Sequence, residues 1–167
     1  MKNLFVTQSY YDELTDKIIR MRGELEFIRS EQAYAYEHCG DGWHDNPYYS
    51  HLISQEKGIQ NQLNDLQAQM QCSEIIKKQS FSIECVALCT MVVVREVNVK
   101  TNAEYTREIS VVPVGAEDSA TGAMAYNSPY ARALIGAKVG DAIEITIPSG
   151  ELEVTIMEIK KYEGEKL

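Results

Sequence analysis

The chain has 167 residues, 44% of them hydrophobic, a content ordinary for a soluble fold of one domain or two small ones and unlike that of a disordered chain. Its 25 aspartates and glutamates outnumber 16 lysines and arginines, a net charge of −9 that opposes free association with nucleic-acid phosphates, where surplus cationic side chains must displace counterions. No apolar run approaches the roughly 20 residues that cross a bilayer and Met1–Gln8 carries no secretory apolar core, so the expectation is a cytoplasmic protein whose Cys39, Cys72, Cys85 and Cys89 are reduced thiols.

From Tyr11 the apolar residues step as Tyr11, Leu14, Ile18, Met21, Leu25, Ile28, then Gln32 and Ala35. Alternation by three and four is a heptad seam and predicts a helix to about His38, with Thr7 as its N-cap. Cys39-Gly40-Asp41-Gly42-Trp43-His44-Asp45-Asn46-Pro47 breaks the pattern, and Asn46-Pro47 reads as an N-cap followed by proline at the first helical position. The second seam, Leu52, Glu56, Ile59, Leu63, Leu66, Met70, fades near Ile76. Two matched helices joined by a short loop make an antiparallel hairpin. A helix of about thirty residues spans roughly 45 Å, which carries the loop far from any compact body. Taken alone, the hairpin would be read first as part of an ordinary bundle or as a dimerising coiled coil, rather than as a probe.

Beyond Ser80 the pattern changes to strands. Val86–Val94, Glu104–Val114, Asp141–Ile147 and Glu151–Ile159 are rich in β-branched residues, with the turn signal Pro148-Ser149-Gly150 between the last two. Ser128 to Ile135 reads as one short helix, with serine at the cap, Pro129 at the first position and Gly136 as the stop. The expected class is α+β: a coiled-coil hairpin over 1–79 with an acidic tip at 39–47, then a small α+β domain over 80–167.

At Asn127-Ser128-Pro129-Tyr130-Ala131-Arg132-Ala133-Leu134-Ile135-Gly136, followed by Gly140-Asp141, the sequence resembles the C-terminal signature of the GreA/GreB transcript-cleavage factors. Ile147-Pro148-Ser149-Gly150-Glu151 is similar to the family's Thr-Pro-x-Gly-Glu hairpin, and the order of hairpin, boundary and sheet extends the likeness over nearly the whole chain. The resemblance implies an FKBP-like second domain that grips the rim of the RNA polymerase secondary channel through Asn127, Ser128 and Pro129, while the hairpin enters the channel. The plain alternative for those three residues is a helix start.

Family members that promote cleavage carry Gly-Asp-Leu-x-Glu-Asn-x-Glu-Tyr at the tip, whose first Asp and first Glu help hold a second magnesium ion at the polymerase active centre. Here Gly40-Asp41 matches, and Asn46 with Tyr49 matches once one extra residue is admitted. Asp45 then stands for the first Glu, Pro47 for the small residue and Tyr48 for the second Glu. The resemblance thus implies Asp41 and Asp45 as tip carboxylates that share magnesium with the polymerase, the protein having no cofactor of its own. Magnesium requires oxygen ligands at about 2.0–2.1 Å in near-octahedral array, so one shortened carboxylate and one lost carboxylate bear on activity. Turn chemistry alone also accounts for an Asp before Gly and an Asp beside an Asn cap.

Other tip residues stay open. Trp43 is a stacking contact for a base or a plug between helix ends, and His44 marks the inserted stretch. His38, Cys39, His44 and His51 with Asp41 are residue types that bind zinc, in a spacing that fits no zinc pattern; solvated loop histidines are the commoner case. Lys17, Arg20, Arg22 and Arg29 face either RNA or solvent. The functional expectation is a monomeric accessory factor, not an enzyme, whose partners are RNA polymerase and the nascent RNA 3′ end and which stimulates the polymerase's own RNA cleavage. The alternatives are a regulator that occupies the channel without cleavage, and a prolyl isomerase or peptide-binding chaperone for which Tyr105, Tyr126 and Tyr130 would line the pocket.

Overall fold

The computed structural model describes residues 4–38, 46–76, 83–147 and 150–162. They gather into two compact units, one of Met1–Leu4 with Tyr11–Ser73, the other of Phe5–Tyr10 with Glu74–Leu167.

The first unit is built on α1 (Gln8–His38) and α2 (Pro47–Gln71). The seam predicted on α1 is its buried stripe: Leu14, Ile18, Met21, Leu25, Ile28 and Ala35 are all buried. Ile18, Met21 and Leu25 pack with Leu63, Leu66 and Met70, whereas Ile28 and Ala35 pack with Leu52 and Tyr49. Early α1 residues therefore meet late α2 residues, which makes the hairpin antiparallel as expected. Each large apolar side chain buried this way contributes roughly 1.5–3 kcal/mol. Thr7 does cap α1, its Oγ1 accepting from the Tyr10 amide at 3.2 Å. The second helix ends at Gln71, short of the expected Ile76, because the chain extends into β2 (Ser73–Ile75), which pairs with β1 (Leu4–Val6). Strands of three residues hold too little alternation to be read from sequence.

The second unit is a five-stranded sheet in the order β5-β4-β3-β7-β6, from β3 (Thr90–Asn98), β4 (Glu104–Val112), β5 (Ala123–Ala125), β6 (Ala142–Ile147) and β7 (Gly150–Lys161). Its pairs are antiparallel except β4 with β5. Alternate residues point to one face, so Val92 and Val94 of β3, Ile109 and Val111 of β4, and Val154 and Ile156 of β7 form a core that α3 (Pro129–Leu134) covers with Ala131 and Leu134.

Several expected strand limits shift: β3 runs on past Val94 to Asn98 and β7 past Ile159 to Lys161, and two other shifts have a local cause. The strand expected from Val86 begins at Thr90, since Val86–Cys89 make a turn: Cys89 has φ 63° and the Thr90 hydroxyl donates to Ala87 O at 2.7 Å. Val86 is fully buried through the chain after α3, donating to Ala137 O and accepting from Gly136 N, both at 2.8 Å. Its apolar character reports burial, not a strand. The strand expected to reach Val114 stops at Val112 because Pro113 has no amide to donate.

The segment Phe5–Tyr10 belongs to the sheet unit. Thr7 N donates to Val114 O at 3.0 Å and Val114 N to Phe5 O at 3.0 Å, while Phe5 N donates to the Tyr126 hydroxyl at 3.0 Å. Gly115, at φ +94°, makes this approach possible: a Cβ there would stand 2.5 Å from Thr7 Oγ1.

Candidate functional site

At the loop end of the hairpin, α1 closes with the Tyr34 ring stacked on His38, centroids 4.0 Å apart, and His38 Nδ1 lies 2.9 Å from Tyr34 O. Asn46 opens α2 as predicted: its Oδ1 accepts from Tyr48 N at 3.0 Å and Tyr49 N at 3.3 Å, with Pro47 at the first helical position. This cap places two tyrosines differently. Tyr49 is half-buried against Ile28, Ala35 and Leu52, with its ring tilted on Tyr36 at 6.4 Å. Tyr48 is exposed and donates its hydroxyl to Glu31 Oε2 at 2.8 Å, a bond to a carboxylate that raises the phenol's pKa. The tip residues Cys39, Asp41, Trp43, His44 and Asp45 lie outside the described residues.

Behind the tip, the two polar members of the predicted seams meet. Gln32 Nε2 donates to Glu56 Oε2 at 2.9 Å and Arg29 Nε to Glu56 Oε1 at 2.8 Å. The Arg29 guanidinium, then the Gln32 amide, hold the Glu56 carboxyl below its usual range against the opposing effect of burial. Of the basic residues considered for RNA, Arg29 is thus committed within the hairpin, while Lys17, Arg20 and Arg22 are exposed. His51 is also exposed, and among the described residues no three His, Cys, Asp or Glu side chains stand together as a metal set.

The second region is the start of α3. Ser128 is its N-cap, with Oγ accepting from Ala131 N at 3.2 Å and its carbonyl from Arg132 N at 2.9 Å. Asn127 and Ser128 are half-buried and Pro129 is exposed. The signature that follows divides by helical position: Ala131 and Leu134 are fully buried, whereas Arg132, Ala133 and Ile135 are exposed. Ser128 therefore shapes the backbone, while Pro129 and Arg132 present groups outward.

Sequence reasoning missed one buried polar pair here. Glu96 is only 5% exposed, on the core-facing phase of β3 after Val92 and Val94; Tyr130 donates to its Oε1 at 2.5 Å and Arg107 Nε lies 3.6 Å from Oε2. Burial, reinforced by the bond to Glu96, pushes the Tyr130 phenol far up. The available signal was a glutamate at the in-facing step of an alternating strand. Of the tyrosines proposed for a prolyl pocket, Tyr126 and Tyr130 pack on the main core and Tyr105 is 62% exposed.

Residues 85–161 match the family model described as "Transcription elongation factor, GreA/GreB, C-term". The chain is 30% identical over 145 residues to transcription elongation factor GreA of Streptococcus mutans, covering 87% of this chain and 84% of the relative. It is 26% identical over 156 residues to the GreA of Chlorobium phaeobacteroides, covering 93% and 96%. Among solved structures it is similar to GreA factor homolog 1 of Thermus thermophilus, at 19% identity, TM-score 0.43, and 95% and 99% coverage.

Proposed function

Because the chain belongs to the GreA/GreB family of transcription elongation factors, we propose that it docks on RNA polymerase and stimulates the polymerase's own cleavage of backtracked nascent RNA, with the hairpin entering the secondary channel. Family membership carries the proposal. A long hairpin that ends at the Gly40-Asp41 to Asn46 stretch, and a second unit that presents Pro129 and Arg132 at its surface, supply the parts it needs. Docking falls to the second unit through Asn127, Ser128 and Pro129: the Ser128 cap aims the first turn of α3 and leaves Pro129 outward.

Asp41 and Asp45 are the tip's oxygen donors, and hard carboxylate oxygens are what magnesium takes. Bound there together with the polymerase's own ligands, the ion supplies water activation and neutralisation of charge on the phosphate. The protein's part is to bring the two carboxylates to that centre, with Asn46, next in sequence to Asp45, starting α2. One observation favours a second reading, a channel-bound regulator without cleavage. At the position of the family's second tip glutamate stands Tyr48, whose hydroxyl is spent on Glu31.

A stalled elongation complex with labelled RNA decides between them. The parent protein should shorten the transcript, and Asp41→Asn or Asp45→Asn, each removing one charge at constant size, should lower that rate by about two orders of magnitude or more while binding to polymerase persists. Raised magnesium should restore part of the loss. A parent that binds polymerase without shortening RNA, or variants that match the parent, would leave the channel-bound regulator as the reading.

A further inference from the structure

We infer that Glu56, with Gln32 and Arg29, is a positioning device for the hairpin's loop end: this polar layer sets the register of α2 against α1 and so decides where His38 and Asn46, the residues that flank 39–45, stand relative to each other. The inference deepens the cleavage reading and rests on it for the consequence at the tip.

The geometry is specific. Glu56 and Gln32 occupy seam positions whose neighbours along the same stripes are Ile28, Ala35, Leu52 and Ile59, and both Glu56 oxygens are engaged, one by Arg29 at 2.8 Å and one by Gln32 at 2.9 Å. Apolar seams repeat every three or four residues, so they tolerate a slide of one helical turn far better than a polar layer does. In this register Gln32 faces Glu56. A slide of one turn in either direction would part Glu56 from Gln32 and set its half-buried carboxylate beside the apolar Ile28 or Ala35, both buried, at the loss of the Gln32 bond. Apolar burial gives the hairpin its stability, and the polar layer gives it one alignment.

That alignment reaches the tip because α2 begins at Asn46-Pro47, immediately after the loop. A slide of one turn moves the start of α2 by about 5.4 Å relative to His38. Magnesium ligands have to sit at about 2.0–2.1 Å, a tolerance far smaller than that displacement of the residues flanking 39–45. The tyrosines report the same register: the Tyr49 ring tilts on Tyr36 across the hairpin at 6.4 Å and Tyr48 bonds to Glu31.

The test replaces the layer by an apolar one. The double variant Gln32→Leu with Glu56→Leu should melt at or above the parent temperature, lose the nuclear Overhauser effect between the Tyr36 and Tyr49 rings in part of the population, and stimulate transcript cleavage about tenfold less at saturating protein with unchanged polymerase affinity. The exchanged variant Gln32→Glu with Glu56→Gln keeps a layer of the same groups and should retain both the Overhauser effect and most of the activity. A merely structural layer would move melting and cleavage in the same direction. The inference is overturned if the leucine variant keeps a single register, or cleaves like the parent. Should the parent itself show no cleavage, the functional reading falls, and the Overhauser measurement still decides whether the layer sets register.

Discussion

A single buried carboxylate shows how side-chain chemistry holds the first turn of α3 in place. Glu96 points to the core side of the sheet, where an ion without partners is costly, and the Tyr130 hydroxyl and the Arg107 guanidinium answer it. Tyr130 is also the second residue of α3, next to Pro129, so the bond ties the start of that helix to β3. Tyr130→Phe should therefore cost about 1–3 kcal/mol in urea-unfolding experiments, because the lost donor leaves a buried acceptor short of a partner. A change below about 0.5 kcal/mol would mean that Arg107 satisfies Glu96 by itself. Cys89 illustrates a different constraint: at φ 63° and 4% exposure, its thiol is pushed up to about 11 by burial, which keeps it in the unreactive protonated form.

At the scale of elements, the hairpin is held by apolar stripes and aligned by polar residues. The Glu56 carboxyl has a folded pKa below its unfolded one because Arg29 and Gln32 bond to the charged form. The sign follows from proton linkage: such a group contributes stability that is fully present above the unfolded carboxylate range, near pH 4.3, and is lost as pH falls through the lower folded pKa. The difference in melting temperature between the parent and Glu56→Gln should thus be largest near neutrality and shrink below about pH 4. Arg29 is 56% exposed at its side chain, so screening limits the effect to no more than about 1 kcal/mol. A difference that stays constant from pH 7 to pH 3 would remove the charged bond from the account. The short helix α3 works on the same division of labour, with Ala131 and Leu134 anchoring it and the Ser128 cap aiming it.

The whole molecule is not divided at one point in the sequence. Val6 is fully buried and Thr7 nearly so, and both belong with the sheet unit, although about seventy residues of hairpin separate them from Glu74. A fragment of residues 74–167 should retain polymerase in a pull-down if the second unit carries docking. It should also melt below the corresponding transition of the full chain, since it lacks the burial of Val6, worth about 2 kcal/mol, and the bonds of Thr7 and Phe5 to Val114. Adding a peptide of residues 4–12 should raise that melting temperature. Equal melting with and without the peptide would show the N-terminal segment to be dispensable to the unit.

Periodicities of 3.6 and 2 residues gave both seams and the α+β class, and residue type gave the Thr7 and Asn46 caps and the helix started by Ser128-Pro129, because each of these depends on near neighbours alone. The signature at 127–136 and the Gly40-Asp41 motif carry the resemblance to the family, and the candidate site residues follow from that resemblance. Only the tertiary structure decided that Glu56 meets Gln32 and Arg29, that Glu96 meets Tyr130, that Val86 is core rather than strand, and that Phe5–Tyr10 completes the sheet unit. Those facts join residues 24 to 121 positions apart, and a local pattern carries no information about which distant partner will satisfy a buried polar group.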